Sequence, residues 1–291
     1  SEVSIIPLYN KGLCNDMLSY TTWTIVGSSA VVATNHGNNI LVNMFHSVTA
    51  NASMGIASQV NSALVSLTAN FQTAFNPQIT KSYAAKEYNS LKSLVYSTSK
   101  LSYYLLFLVS LPIFFNIDWC LSIWLTNVPQ YAGIFSILIL CNAILNALSM
   151  PFNYAVLSTT EIKHFQIISS VVFLSDLFFV YVFFSFGASA PIALMVKVFI
   201  MVIILFVRLF YANKVIDAIN VRSYVKDTIV PIIIVTLLCV SVGLLLFSSW
   251  MEFIHRFIRL TILVCCSVYA VYRIGLRENE RIMLMKVLKK I

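Results

Sequence analysis

The sequence predicts an all-α integral membrane protein, a polytopic bundle of eight transmembrane helices. Of its 291 residues, 59% are hydrophobic and 10% are charged, whereas soluble domains carry about 25% charged residues. The mean hydropathy is +0.86. A helix needs about 20 mostly apolar residues to cross the hydrocarbon, and eight segments of the chain qualify. These segments are too long for strands and lack strict alternation.

The eight predicted helices are joined by short connections whose charges indicate a direction through the membrane. They cover 21–45, 55–76, 99–117, 131–155, 166–186, 190–211, 229–249 and 257–274. Most of the 19 basic residues lie in alternate connections and in the C-terminal tail. By the positive-inside rule these parts are cytoplasmic, so both termini are expected to be cytoplasmic. Trp119 and Trp124, in an outer connection, are typical of a helix lying at headgroup depth.

Three of the segments carry polar side chains at helical spacing. The predicted cavity residues from these stripes are Asn35, His36, Asn39 and Asn43 in the first segment, Gln59, Ser62, Ser66 and Asn70 in the second, and Asn142 and Asn146 in the fourth. An unpaired amide in hydrocarbon costs several kcal/mol. The stripes therefore either join helices by hydrogen bonds or line a water-filled cavity. Because they run along most of each helix, we expect a cavity.

Two charged residues lie deep in neighbouring predicted helices. Asp176 is about 16 Å and Lys197 about 12 Å from the short connection between them, at about 1.5 Å per residue. Isolated charges at such depths cost at least about 2.5–3.5 kcal/mol each. They are therefore expected to pair with each other or to face water. In the second case Lys197 is a candidate contact for an anionic substrate.

Several other classes of function are not expected. The six cysteines form no CxxC motif and the four histidines share no ligand spacing, so neither a metal site nor another cofactor is predicted. No basic run is interleaved with exposed aromatic residues, which argues against nucleic acid as a partner. The net charge of +8 instead favours contact with the bilayer and its anionic lipids. The longest outer connection holds one acid, Asp118, so an enzyme is not predicted.

One long stretch carries a family resemblance. Residues 37–84, "GNNILVNMFHSVTANASMGIASQVNSALVSLTANFQTAFNPQITKSYA", resemble helices seven and eight of bacterial Wzx-type O-antigen flippases of the multidrug/oligosaccharidyl-lipid/polysaccharide exporter superfamily. The resemblance is carried by Asn76-Pro77 after a polar helix and by the basic "ITKSYA" that follows. The stretch "WLTNVPQYA", residues 124–132, is similar to the motif after the family's ninth helix. The similarity extends over essentially the whole chain.

The resemblance implies the second lobe of a MATE-like transporter with two extra helices. The implied divisions are a cytoplasmic lead-in 1–20, a six-helix lobe 21–211, a cytoplasmic loop 212–228, two peripheral helices 229–274 and a basic interfacial tail 275–291. The implied function is flipping of an undecaprenyl-pyrophosphate-type lipid-linked oligosaccharide across the bacterial cytoplasmic (inner) membrane, for O-antigen and lipopolysaccharide biosynthesis. The family's first lobe has no counterpart here, so we expect a fragment, or a chain that acts with a partner lobe.

Three alternatives remain open at the level of sequence. A multidrug exporter of the same fold, coupled to Na⁺ or H⁺, would need a carboxylate in the cavity, and Asp176 is the candidate. A non-transporting remnant is suggested by the absent first lobe. A membrane glycosyltransferase or ligase would need acid–base residues on an outer loop, where few acids are present.

Overall fold

The computed structural model describes residues 11–159, 161–248, 255–278 and 280–281, and these residues form helices and connections without a strand. The helices are α1 Lys11–Phe45, α2 Val48–Ala84, α3 Tyr88–Phe115, α4 Ile117–Trp124, α5 Ala132–Leu157, α6 Ile162–Ser185, α7 Ile192–Val215, α8 Val221–Tyr224, α9 Val230–Leu246 and α10 Arg256–Ala270. A π-helical stretch, Val225–Ile229, joins α8 to α9, and a second one, Val271–Gly275, extends α10.

Six helices in the described part of the chain are long and apolar enough to cross a membrane. They are Tyr88–Phe115, Ala132–Leu157, Ile162–Ser185, Ile192–Val215, Val221–Leu246 and Arg256–Gly275. The prediction of an all-α membrane protein is therefore confirmed. The predicted number of eight crossings is not shown, because α1 and α2 fall outside this set. Both are long enough, with 35 and 37 residues, but their polar stripes lower their hydropathy.

Several helix boundaries differ from the predicted ones. α3 begins at Tyr88 rather than near 99, so Lys92 lies in a helix instead of a connection. α2 continues through Pro77 to Ala84, because a proline after several helical turns removes one hydrogen bond without ending the helix. α1 runs unbroken through Gly37. A Cβ at Gly37 would lie 2.6 Å from Leu177 Cδ2, so this glycine permits a close approach of α6.

α5 lies at the centre of the bundle, between α7 on one side and α2 and α3 on the other. α1 packs along α6, and α6 packs along α7. α9 and α10 pack on each other and on α3. Their apolar side chains, among them Val235, Cys239 and Leu263, join one buried cluster with Leu106 and Leu111 of α3. The two C-terminal helices therefore lie beyond α3, apart from the space that α1, α2, α5, α6 and α7 enclose.

Hydrogen bonds between helices show their directions. The Thr34 hydroxyl donates to the Phe173 carbonyl at 3.0 Å, and one turn later the Asn38 amide donates to Asp176, so α1 and α6 are parallel. The Tyr20 hydroxyl donates to the Leu157 carbonyl at 3.1 Å, which places the start of α1 beside the end of α5. We call the end with connections 46–47 and 186–191 the hairpin end.

The opposite end of the bundle, with connections 85–87, 158–161 and 216–220, is the basic end. There the first described residues of the C-terminal tail are tied to α3. The Lys100 ammonium donates to the Glu280 carboxylate at 3.0 Å, and both side chains are nearly inaccessible. The predicted interfacial tail helix falls mostly on 282–291, outside the described residues. At the hairpin end lies α4, the helix for which the sequence predicts an outer interface position, with Trp124 half exposed and the Trp119 ring packed on Phe257.

Candidate functional site

A polar cavity of about 690 Å³ lies among α1, α2, α5, α6 and α7. Its volume is within the roughly 300–1,000 Å³ range of small-molecule sites. Its wall extends along α5 from Ile139 to Leu157, about 27 Å at about 1.5 Å per residue. The cavity therefore spans most of the thickness that the apolar helices could cross.

Seven predicted site residues line this cavity. They are Asn35, Asn39, Ser62, Asn142, Asn146, Asp176 and Lys197. They come from five different helices, and the sequence separation between the first and the last is more than half of the chain. Packing of α1 on α6 and of α5 on α7 brings them to one space.

Five predicted cavity residues lie elsewhere. His36, Asn43, Gln59, Ser66 and Asn70 are exposed on the outside of the described bundle and do not line the cavity. The cavity side of α2 is instead formed by Ser58, Asn61, Ser62 and Val65. At about 100° per residue this face is turned roughly a quarter of a revolution from the predicted stripe. The predicted polar stripe of α2 is therefore present, but only Ser62, at the edge of the stripe, lines the cavity.

The wall also contains polar residues that the sequence reasoning missed. They are Asn38, Asn61, Gln166, Ser169 and Arg208, and Asn153 joins them from the predicted stripe of α5. Arg208 lies near the end of the sixth predicted segment, 190–211, and was not among the predicted cavity residues. It follows Lys197 by 11 residues, which is close to three helical turns, so both lie on one face of α7. This 11-residue spacing was the feature of the sequence that could have identified Arg208 as a second basic residue of the wall.

The two basic residues of the wall bind neutral acceptors. The Lys197 ammonium donates to Asn35 Oδ1 at 2.7 Å, across from α7 to α1. Arg208 Nη1 donates to Asn146 Oδ1 at 3.1 Å and to Ser149 Oγ at 2.6 Å, both on α5. Asn142 supports the same α5–α7 contact by donating its amide to the Lys197 carbonyl at 3.2 Å. Lys197 and Arg208 are separated by about 16 Å along α7.

Neither basic residue of the wall forms a salt bridge within the described ranges, although the Asp176 carboxylate interacts electrostatically with Lys197. The ion pairs found over the described ranges are Lys100–Glu280 and Arg277–Asp227. Asp176 and Lys197, which were predicted either to pair or to face water, do not form a salt bridge, because Asn38 and Asn35 of α1 hydrogen-bond to the two side chains instead. The wall therefore holds two basic side chains and one acidic side chain, each solvated by an amide. Such charges within membrane helices face water or a ligand.

Buried oxygen atoms without a donor form the second feature of the wall. Asp176 is fully buried, and its Oδ2 accepts from Asn38 Nδ2 at 2.5 Å. Its Oδ1, Asn38 Oδ1 and Asn61 Oδ1 are buried and find no donor within the described protein. Unsatisfied buried acceptors cost about 1–3 kcal/mol each. Ligand hydroxyl groups, water or a cation would satisfy them.

No cluster of three or more His, Cys, Asp or Glu suited to a metal ion occurs in the ranges that the structure covers. No protein-family model, no curated protein and no solved structure matches this chain. The function is therefore inferred from the cavity itself.

Proposed function

We propose that this chain is a flippase that moves a lipid-linked oligosaccharide across a bacterial cytoplasmic membrane, for the biosynthesis of surface polysaccharide. The observation that supports this most is the cavity, with Lys197 and Arg208 on one face of α7 and neither of them in a salt bridge. A diphosphate between lipid and sugar carries the anionic charge that such residues bind. A neutral solute would leave Arg208 without a counter-charge.

The remainder of the wall suits the sugar portion of this substrate. Amide groups of Asn39, Asn61, Asn142 and Asn153 line the cavity, and each amide offers donors and an acceptor to sugar hydroxyl groups. The chain would contribute the conduit and no chemical step, so it is not proposed as an enzyme and needs no resident cofactor. The hydrocarbon tail of the substrate would remain in lipid outside the cavity.

The proposal includes a topology. α1 and α2 would cross the membrane beside the six apolar helices, which makes eight crossings with both termini in the cytoplasm. The basic end would then face the cytoplasm, where Lys81, Lys86, Lys163 and Lys214 would meet anionic lipid headgroups. This side is where the lipid-linked oligosaccharide is made, so Arg208 would meet the diphosphate before Lys197 does.

A reconstituted flipping assay tests the proposal. Proteoliposomes would contain a fluorescent undecaprenyl-pyrophosphate-linked oligosaccharide in both leaflets, and a membrane-impermeant quencher would be added outside. We expect the quenched fraction to rise beyond the outer-leaflet share with time. A double variant, Lys197→Ala with Arg208→Leu, should not show this rise although it reconstitutes equally. Equal flipping by the parent and the double variant would contradict the proposed role of the cavity.

A cation-coupled exporter of the same fold is the second candidate. It is favoured by Asp176 Oδ1 and Asn38 Oδ1, which are two free oxygen atoms on residues joined by a hydrogen bond. Such oxygens are suited to H⁺ or to a hard monovalent cation such as Na⁺. Efflux of a cationic dye that depends on a Na⁺ or H⁺ gradient, and that Asp176→Asn abolishes, would support this candidate over the flippase.

A further inference from the structure

The outward face of α2 carries a row of polar side chains. Gln59, Ser62, Ser66, Asn70 and Thr73 are all exposed in the described structure, and we call them the α2 polar row. The three hydroxyl groups donate to carbonyls of their own helix, at 2.8–2.9 Å. The amides of Gln59 and Asn70 have no hydrogen-bond partner among the described residues. The row therefore presents unused donors and acceptors to its surroundings.

The depth of the α2 polar row follows from the other side of the same helix. Ile56 and Val60 pack on the cluster that contains Ala132, the first residue of α5. Gln72 Nε2 donates to the Ala147 carbonyl at 3.0 Å, near the middle of α5. The row thus runs beside α5 from its first turns to its middle. Since α5 is apolar enough to span a membrane, lipid would surround unpaired amides there, at a cost of several kcal/mol for each.

We propose that the α2 polar row is the contact surface for a second copy of this chain, with α2 packed against α2 of the partner copy. In a two-fold pair whose axis runs along the membrane normal, equal depths meet, so each residue near the axis faces its own counterpart. Only side chains that both donate and accept can pair in this way. The free amides of Gln59 and Asn70 do so, the hydroxyl groups between them are small and still accept, and the row contains no charge that would repel its copy.

The α2 polar row also adjoins the cavity. Ser62 belongs both to the α2 polar row and to the cavity wall, so a partner seated on the row would border the cavity. Two cavities would then face each other across the symmetry axis. The exposed face of α9 differs from the row because its side chains are apolar. Leu237 and Leu244 are 65% and 62% exposed, as expected for contact with lipid.

Disulfide trapping in membranes tests this contact. The five accessible cysteines would first be replaced by alanine, and the buried Cys239 would stay. Into this background we would introduce Ser66→Cys or Asn70→Cys, with Leu237→Cys on α9 as the control at an equally exposed site. Under mild oxidation at low expression, we expect at least half of the Ser66→Cys or Asn70→Cys chains to run at twice the monomer mass, and less than a tenth of the control.

A second measurement tests the same contact without cysteine variants, in case these variants fail to fold. Copies of the parent chain that carry two different affinity tags would be expressed together and extracted in mild detergent. Recovery of one tag with the other supports the second copy, while recovery of each tag alone contradicts it. A cross-link to a protein of different mass would also overturn the proposal. Neither measurement requires transport, so a chain that dimerises without flipping lipid would refute only the proposed function.

Discussion

Replacing Arg208 by leucine separates a ligand-binding role from a structural one. The guanidinium donates two hydrogen bonds to α5, at 3.1 and 2.6 Å. Hydrogen bonds of charged groups contribute about 1.5–3 kcal/mol each, so a purely structural arginine should cost about 3 kcal/mol or more when it is removed. The alternative is that the buried charge is itself expensive, by several kcal/mol, and is kept for a ligand.

The structure favours the second outcome for Arg208→Leu. After the change, Ser149 still donates to the Asn146 carbonyl at 3.1 Å, and Asn146 Oδ1 faces a cavity that water can enter. Loss of the two hydrogen bonds is therefore offset by relief of the buried charge. We expect the free energy of unfolding to change by less than about 1 kcal/mol, since the remaining groups keep partners.

Binding should respond much more strongly than stability. Loss of one charge-assisted contact to a phosphate, at about 1.5–3 kcal/mol, corresponds to roughly 10- to 150-fold weaker binding. Farnesyl diphosphate is a soluble probe with the same diphosphate, and farnesol is its uncharged control. Binding would be measured by thermophoresis on purified protein, with Arg256→Leu, an exposed arginine beside Trp119, as the matched variant. Binding of Arg208→Leu within twofold of the parent would refute the reasoning.

Two further predictions concern topology and the C-terminal tail. Reporter fusions placed in the connections 85–87 and 216–220 should read cytoplasmic and those in 186–191 should read external, and one reproducible reversal would end the eight-crossing topology. Lys100→Met should destabilise the protein by about 3–5 kcal/mol, because it leaves the Glu280 carboxylate buried without its partner. The double variant Lys100→Met with Glu280→Met should recover most of that loss in thermal unfolding, and failure to recover would show that the pair does not act as a unit.

The general architecture could be predicted because long apolar runs have few other uses. Helical content and membrane insertion follow from segment length and hydropathy, and these were right for the six apolar helices. Helix ends were harder to predict, because a helix can continue beyond the apolar segment that would lie in the hydrocarbon of the membrane. α3 therefore continues from Lys100 back to Tyr88 beyond the apolar segment.

The cavity was only partly predictable because helical periodicity shows which residues share a face, but not which way that face points. On α5 the stripe faces the cavity through Asn142, Asn146 and Asn153. On α2 the stripe faces outward, and the helix uses the neighbouring face of Ser58 and Asn61 instead. That choice depends on the packing of α2 against α5, which is not a local property of either sequence.

The charges show the same limit. Asp176 and Lys197 were expected to pair or to face water, because antiparallel neighbours place them at similar depth. Packing of α1 along α6 instead brings Asn38 and Asn35 to these two side chains. A third helix that is distant in sequence therefore decided which partners the charges found.

The measurement that tests the account most directly is the accessibility of the cavity wall in intact membranes. Single cysteines at Asn142 and Asn153, in the cysteine-depleted background, should react with a charged, membrane-impermeant thiol reagent in open membrane preparations, and farnesyl diphosphate should slow the reaction severalfold while farnesol should not. A cysteine at Leu237 on the lipid-facing side of α9 should not react. If the wall positions react no faster than Leu237→Cys, or if the diphosphate does not protect them, the cavity is not a wetted path for an anionic lipid.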